Sequence, residues 1–174
     1  MDILLFLSQN TVCEMKFYLA GAIEHAPDLG KSWRKDMEAW LLKHNIGSVN
    51  PLNGEGGIFD IYGFIDQRDA KEAKDTDHKR YMKLMSEIAD KDYRQIDNCD
   101  GIIVYYDDYV RQGAGTQGEI SVCKYLNYKE GSTIKPVYII NTLGSEMPGW
   151  IYGCATKLYF SMEEFKAKFL KDIL

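Results

Sequence analysis

The chain has 174 residues, of which 45% are hydrophobic and 27% charged, with a formal net charge of −5. That length buries a full core in one domain, and the composition is that of an ordinary globular chain. The negative balance argues against an electrostatic grip on a nucleic acid polymer or an anionic membrane, so a small-molecule ligand is the expectation.

Residues 1–14 (MDILLFLSQNTVCE) carry a short apolar run without a basic leader or a small-residue cleavage site. They read as an N-terminal extension or lead-in rather than a signal peptide, with the domain over 15–174. No apolar stretch is long enough to span a bilayer. Cys13, Cys99, Cys123 and Cys154 are widely spaced, as reduced thiols of a cytoplasmic protein would be, and three lie in or beside apolar segments.

Residues 16–19 (KFYL) predict a first strand, followed by a loop containing Pro27 and two glycines. Residues 31–45 show a helical period, with Trp33, Met37, Trp40, Leu41 and His44 on one face and Gly47 as the C-cap. A second strand over 46–50 stops at Pro51. Residues 52–74, with three glycines and mixed aromatics and acids, read as a functional loop. From Thr76 a helix is expected through Tyr81, Leu84, Met85 and Ile88, with a break near residues 90–92. The run 102–106 (IIVYY) predicts a central strand buried on both faces. A helix over 117–129, a strand over 135–141, a loop over 144–153 and an edge strand over 156–160 follow. Ser161 then opens a last helix through a capping box with Glu164.

Alternating strands and helices predict an α/β fold: a doubly wound, flavodoxin-like sheet of about five parallel strands. Such sheets bind ligands beyond the carboxyl ends of their strands, where residues 18–21, 107–119 and 141–149 would gather. Four features converge on that edge. Tyr18 stands at the end of the first strand, which alone is an ordinary strand tyrosine. Arg34 opens the first helix and reads either as a solvated arginine or as a bidentate carboxylate or phosphate ligand. Asp92, placed at the end of its helix, is either one acid in a charged run or a proton donor whose pKa apolar walls raise. The segment 113–119 (GAGTQGE) combines glycines that admit a close ligand with a helix N-terminus that favours anions. Its Glu119 is either the partner of Thr116 in a capping box or a nucleophile facing a sugar. His25, His44 and His78 show no ligand spacing, so no metal is expected. The glycine fingerprints of dinucleotide and P-loop sites are missing.

Taken in order, Tyr18-Leu-Ala-Gly-Ala-Ile-Glu24, Trp33-Arg34, Asn50-Pro51, Asp92 through Asp100 leading into DGIIVYY, Gly115-Thr116-x-x-Glu119 and Lys135-Pro136-Val137 resemble the nucleoside 2-deoxyribosyltransferase family. The resemblance spans residues 16–141. It implies no cofactor, a homo-oligomer, and chemistry on the N-glycosidic bond of a nucleoside or nucleotide with release or exchange of a nucleobase. By position, Glu119 matches the nucleophile, Tyr18 the residue that orients it and Asp92 the acid near the base. Gly21, Arg34, Asp108, Gly113, Gly115 and Thr116 are the candidate substrate contacts. The sequence also departs from the pattern. Gly113 stands where transferases often carry an aspartate, with Asp107 and Asp108 nearby, and Ala22 replaces the usual proline. These departures keep open a hydrolase of nucleoside 5′-monophosphates, and the fold alone keeps open a non-catalytic nucleotide sensor.

Overall fold

A computed structural model describes residues 15–174 other than 130 and 132; the expected extension over 1–14, with Cys13, lies outside the described residues. The elements are β1 (Met15–Gly21), α1 (Lys31–Leu42), β2 (Ile46–Val49), α2 (Glu55–Ile61), α3 (Gln67–Lys71), α4 (Ala73–Thr76) and α5 (His78–Asp97). They continue with β3 (Gly101–Tyr106), α6 (Gly115–Leu126), β4 (Val137–Asn141), α7 (Gly149–Cys154), β5 (Lys157–Tyr159) and α8 (Met162–Asp172). The five strands form one parallel sheet in the order β2-β1-β3-β4-β5. This is the flavodoxin-like arrangement expected from the alternation.

Strand alternation divides the core into two layers. Phe17, Leu19, Ile103, Tyr138 and Ile140 face α1 and α8, where Met37, Leu41, Phe165 and Phe169 meet them. Tyr18, Ala20, Ile102, Val104 and Ile139 point the other way, against Ile96 of α5, Ile120 and Cys123 of α6 and Ile151 of α7. Tyr18 thus projects from the middle of β1 into the layer that holds α5 and α6. It lies beside Ile102 on β3, one strand over.

Several elements differ from expectation. α5 runs unbroken through residues 90–92, because Leu84, Ile88, Asp92 and Ile96 keep one buried stripe at four-residue intervals. Its start is capped by Asp77, whose carboxylate accepts from the Arg80 N–H. The supposed loop over 52–74 is three short helices, which rest on α5 through Phe59, Ala70, Leu84 and Ile88. α1 stops at Leu42; Asn45 takes the left-handed turn at φ 58°, and Gly47 lies within β2 instead of capping the helix. Residues 144–153 hold a 3₁₀ turn (Gly144–Glu146) and α7 rather than a plain loop. α8 starts as expected, with Ser161 Oγ accepting from the Glu164 N–H. No described helix is long and apolar enough to cross a membrane.

Candidate active site

In this strand order β1 and β3 are neighbours, and the chain leaves them for helices on opposite faces of the sheet. A crevice opens at such a switch point. Here it is a cleft walled on one side by Gly21 to His25 after β1. Across from it lie the 3₁₀ turn Val110–Gln112 and the first residues of α6. Met85 and Ile88 of α5 supply apolar lining, and Asp92 and Glu119 both line the cleft.

Glu119 sits in the second turn of α6 with only 7% of its surface exposed. The capping box expected for it does not form: α6 begins at Gly115, Thr116 lies inside the helix, and no side chain caps the N-terminus. Instead the Tyr18 hydroxyl donates to Glu119 Oε1 at 2.5 Å, in a buried bond. The other oxygen, Oε2, is buried without a hydrogen-bond partner among the described residues. An unpaired carboxylate oxygen in such a place costs free energy, and groups of this kind concentrate where a reaction uses them.

The second carboxylate is on α5. Asp92 shares a helix stripe with three aliphatic residues, so it is buried where the pattern asks for an apolar side chain. Its Oδ1 also lacks a hydrogen-bond donor among the described residues; the Lys91 ammonium lies 3.2 Å away, but off the hydrogen-bonding direction. Burial raises the Asp92 pKa to about 6, with Lys91 opposing and Glu55 reinforcing the rise. Burial raises Glu119 further, to about 7; the Asp92 charge adds to the rise, while the Tyr18 hydroxyl and Arg34 pull it back. These values belong to the pair, because two carboxylates in one dry site hold a shared proton over part of the pH range. Burial and both carboxylates hold the Tyr18 phenol well above its ordinary value, so it remains a donor.

Arg34 does not present its guanidinium to the cleft, as a substrate ligand would. It is fully buried, and donates from Nε to Leu19 O, from Nη1 to Ala22 O and Gly30 O, and from Nη2 to Gly21 O. Four of its five donors thus pin the loop that forms the cleft wall. Gly30 permits this approach, with φ 68° and no room for a Cβ between Ala22 O and Arg34 Nη1. Gly21 lines the cleft and is equally constrained, since a Cβ there would lie 2.7 Å from the Trp33 ring. Asp108 points away: its side chain is 75% exposed and paired with Arg111.

Gly113, Gly115 and Thr116 do line the cleft. The N–H groups of Gly115, Thr116 and Gln117 find no protein acceptor among the described residues. The expected third contribution, residues 141–149, is not part of the lining; Asn141 turns back to Gly144 O within its own loop.

No protein-family model and no curated protein matches the chain. Sequence reasoning passed over Glu24, Glu55 and the pocket role of His25, all of which line the cleft. For Glu55 no local signal exists, since its burial comes from the packing of α2 on α5. Asp92 offered a stronger signal than the one used, namely an acid interrupting an aliphatic stripe.

Proposed function

We propose that this protein cleaves the N-glycosidic bond of 2′-deoxynucleosides and transfers the deoxyribosyl group to a second base through Glu119. The observation that carries the reading is the buried Glu119 carboxylate, with one oxygen fixed by Tyr18 and the other free, beside a second carboxylate in the same cleft. The ordered motifs resembling nucleoside 2-deoxyribosyltransferases support the same assignment.

The chemistry divides one displacement into two. Glu119 Oε2 attacks C1′ as the C1′–N bond breaks, and the bonding pair departs with the base. Asp92 gives its proton to that base. The sugar is left as an ester on Glu119. A second base then attacks C1′, Glu119 leaves as a carboxylate, and Asp92 recovers a proton from the incoming base. The productive form carries one proton, on Asp92. It is the minor arrangement of the pair, since burial holds the proton more strongly on Glu119, and the Tyr18 hydrogen bond raises its share by stabilising the charged form of Glu119. Of the acids in the lining, Glu24 is paired with Lys71 and Lys74 and Glu55 with Lys91, which leaves the Glu119 carboxylate as the charge that suits a transition state with positive charge on the sugar.

A second reading, hydrolysis of nucleoside 5′-monophosphates, has one observation in its favour. The free N–H groups at the start of α6 form an anion-binding geometry beside Gly113 and Gly115.

Both readings are tested by incubating the protein with deoxynucleosides and with the matching monophosphates, with and without a second base. Base exchange supports the first and base release from the monophosphate the second. A Glu119→Gln variant that retains full exchange overturns the role of Glu119 in either. So does a 2-fluoro-arabinosyl nucleoside that labels the protein elsewhere than Glu119.

A further inference from the structure

Lys91 is half-buried, with 17% of its side chain exposed, and an ammonium so placed calls for partners. Its ammonium donates to Glu55 Oε1 at 3.0 Å and to the carbonyl of Pro51, and it lies 3.2 Å from Asp92 Oδ1. Three segments therefore meet on one nitrogen: the turn after β2, the first residue of α2, and α5. Neighbouring residues of a helix point about 100° apart and do not ordinarily face each other. Lys91 reaches Asp92 because Glu55 and Pro51 draw the ammonium back across the helix towards the cleft. Glu55 itself is buried and lines the cleft.

We propose that Lys91, anchored by Glu55 and Pro51, is a positioning residue that fixes the Asp92 carboxyl for proton donation to the leaving base. The proposal rests on the reading of Asp92 as the acid. Without Lys91, Asp92 would face Glu55 from α2 and Glu119 from α6 with only the Tyr18 hydroxyl of β1 and the more distant Arg34 of α1 to offset them. Two carboxylates beside it would then hold its proton in place. With Lys91 present, the ammonium 3.2 Å from Oδ1 offsets those two carboxylates and draws that oxygen to its side, so that Asp92 can both release and recover the proton.

The test compares Lys91→Met, Lys91→Arg and Glu55→Gln with the wild-type protein. One readout is turnover of 2′-deoxyguanosine against N7-methyl-2′-deoxyguanosine, whose cationic base departs without needing a proton. Lys91→Met is expected to lose about tenfold or more on the first substrate and little on the second, because a misplaced acid matters only when the leaving group needs it. Lys91→Arg should restore part of the loss. The second readout is the carboxyl ¹³C titration of Asp92, assigned with Asp92→Asn, whose midpoint should rise by about half a pH unit or more in Lys91→Met. Equal losses on the two substrates, or an unmoved Asp92 titration, overturn the proposal. If the wild-type protein cleaves neither substrate, the reading of the reaction fails, and the titration alone decides whether Lys91 controls Asp92. If Lys91→Met does not fold, Lys91→Arg and Glu55→Gln carry the same comparison.

Discussion

Replacing Glu119 by glutamine should make the protein more stable and catalytically inert at once, and the stabilisation should depend on pH in a defined way. The ordinary value for a glutamate carboxyl is 4.5, and in the fold Glu119 is raised to about 7. Between these values the unfolded chain has lost the proton and the folded chain retains it. The unfolded state binds fewer protons there, so stability falls as pH rises through the window and stays low above it. A carboxyl raised from 4.5 to about 7 corresponds to about 3 kcal/mol of penalty once ionised. Glutamine keeps an oxygen for the Tyr18 hydroxyl but buries an amide that needs partners, at roughly 1 kcal/mol. A net gain of about 2 kcal/mol at pH 8 remains, and for a domain of this size that is roughly 4–8 °C in Tm. Thermal melts of both proteins at pH 5, 6, 7 and 8 check this. The two should nearly coincide at pH 5 and diverge as pH rises, with the variant the more stable. A difference that does not change with pH, or a variant less stable at pH 8, refutes the account of Glu119 as a strained buried carboxylate.

Three further outcomes follow from the site. Steady-state kcat/KM against pH should be bell-shaped with a narrow optimum between about 6 and 7, since both carboxyls are protonated below that range and both ionised above it; a flat profile over pH 5–9 contradicts the shared proton. Tyr18→Phe removes a hydrogen bond to a charged group worth ~1.5–3 kcal/mol. It should lower kcat about 10- to 100-fold in steady-state assays and move the acid limb to higher pH, because Glu119 loses a group that favours its ionised form. Arg34→Met strips the donors from four carbonyls around the β1–α1 loop. It should destabilise the fold by about 3–5 kcal/mol, read as a lower urea midpoint, whereas a solvated arginine would change it by less than about 0.5 kcal/mol.

The sheet was legible because its three central strands are largely apolar runs bounded by turn residues, and because each connection is long enough for a crossover. The pairing of Tyr18 with Glu119 was legible only through the ordered motifs; nothing local in KFYL marks one tyrosine among twelve. Other features depend on contacts that a linear pattern does not encode. Arg34 reads as a surface residue of an amphipathic helix until the loop carbonyls fold around it. The break expected near residues 90–92 does not occur, because aspartate and lysine are tolerated within a helix when their neighbours keep the stripe. Thr116 and Glu119 have the spacing of a capping box, but Tyr18, from 101 residues away, takes the carboxylate first.

That separation has a consequence for how the cleft assembles. Closing a loop between Tyr18 and Glu119 requires β1, β3 and α6 to be docked together, and the entropy of so long a closure must be met by the packing of all three. Local formation of α5 and α6 alone does not bring Tyr18 to Glu119. The Tyr18–Glu119 hydrogen bond therefore reports the docking of β1, β3 and α6, and should form only once these strands have paired.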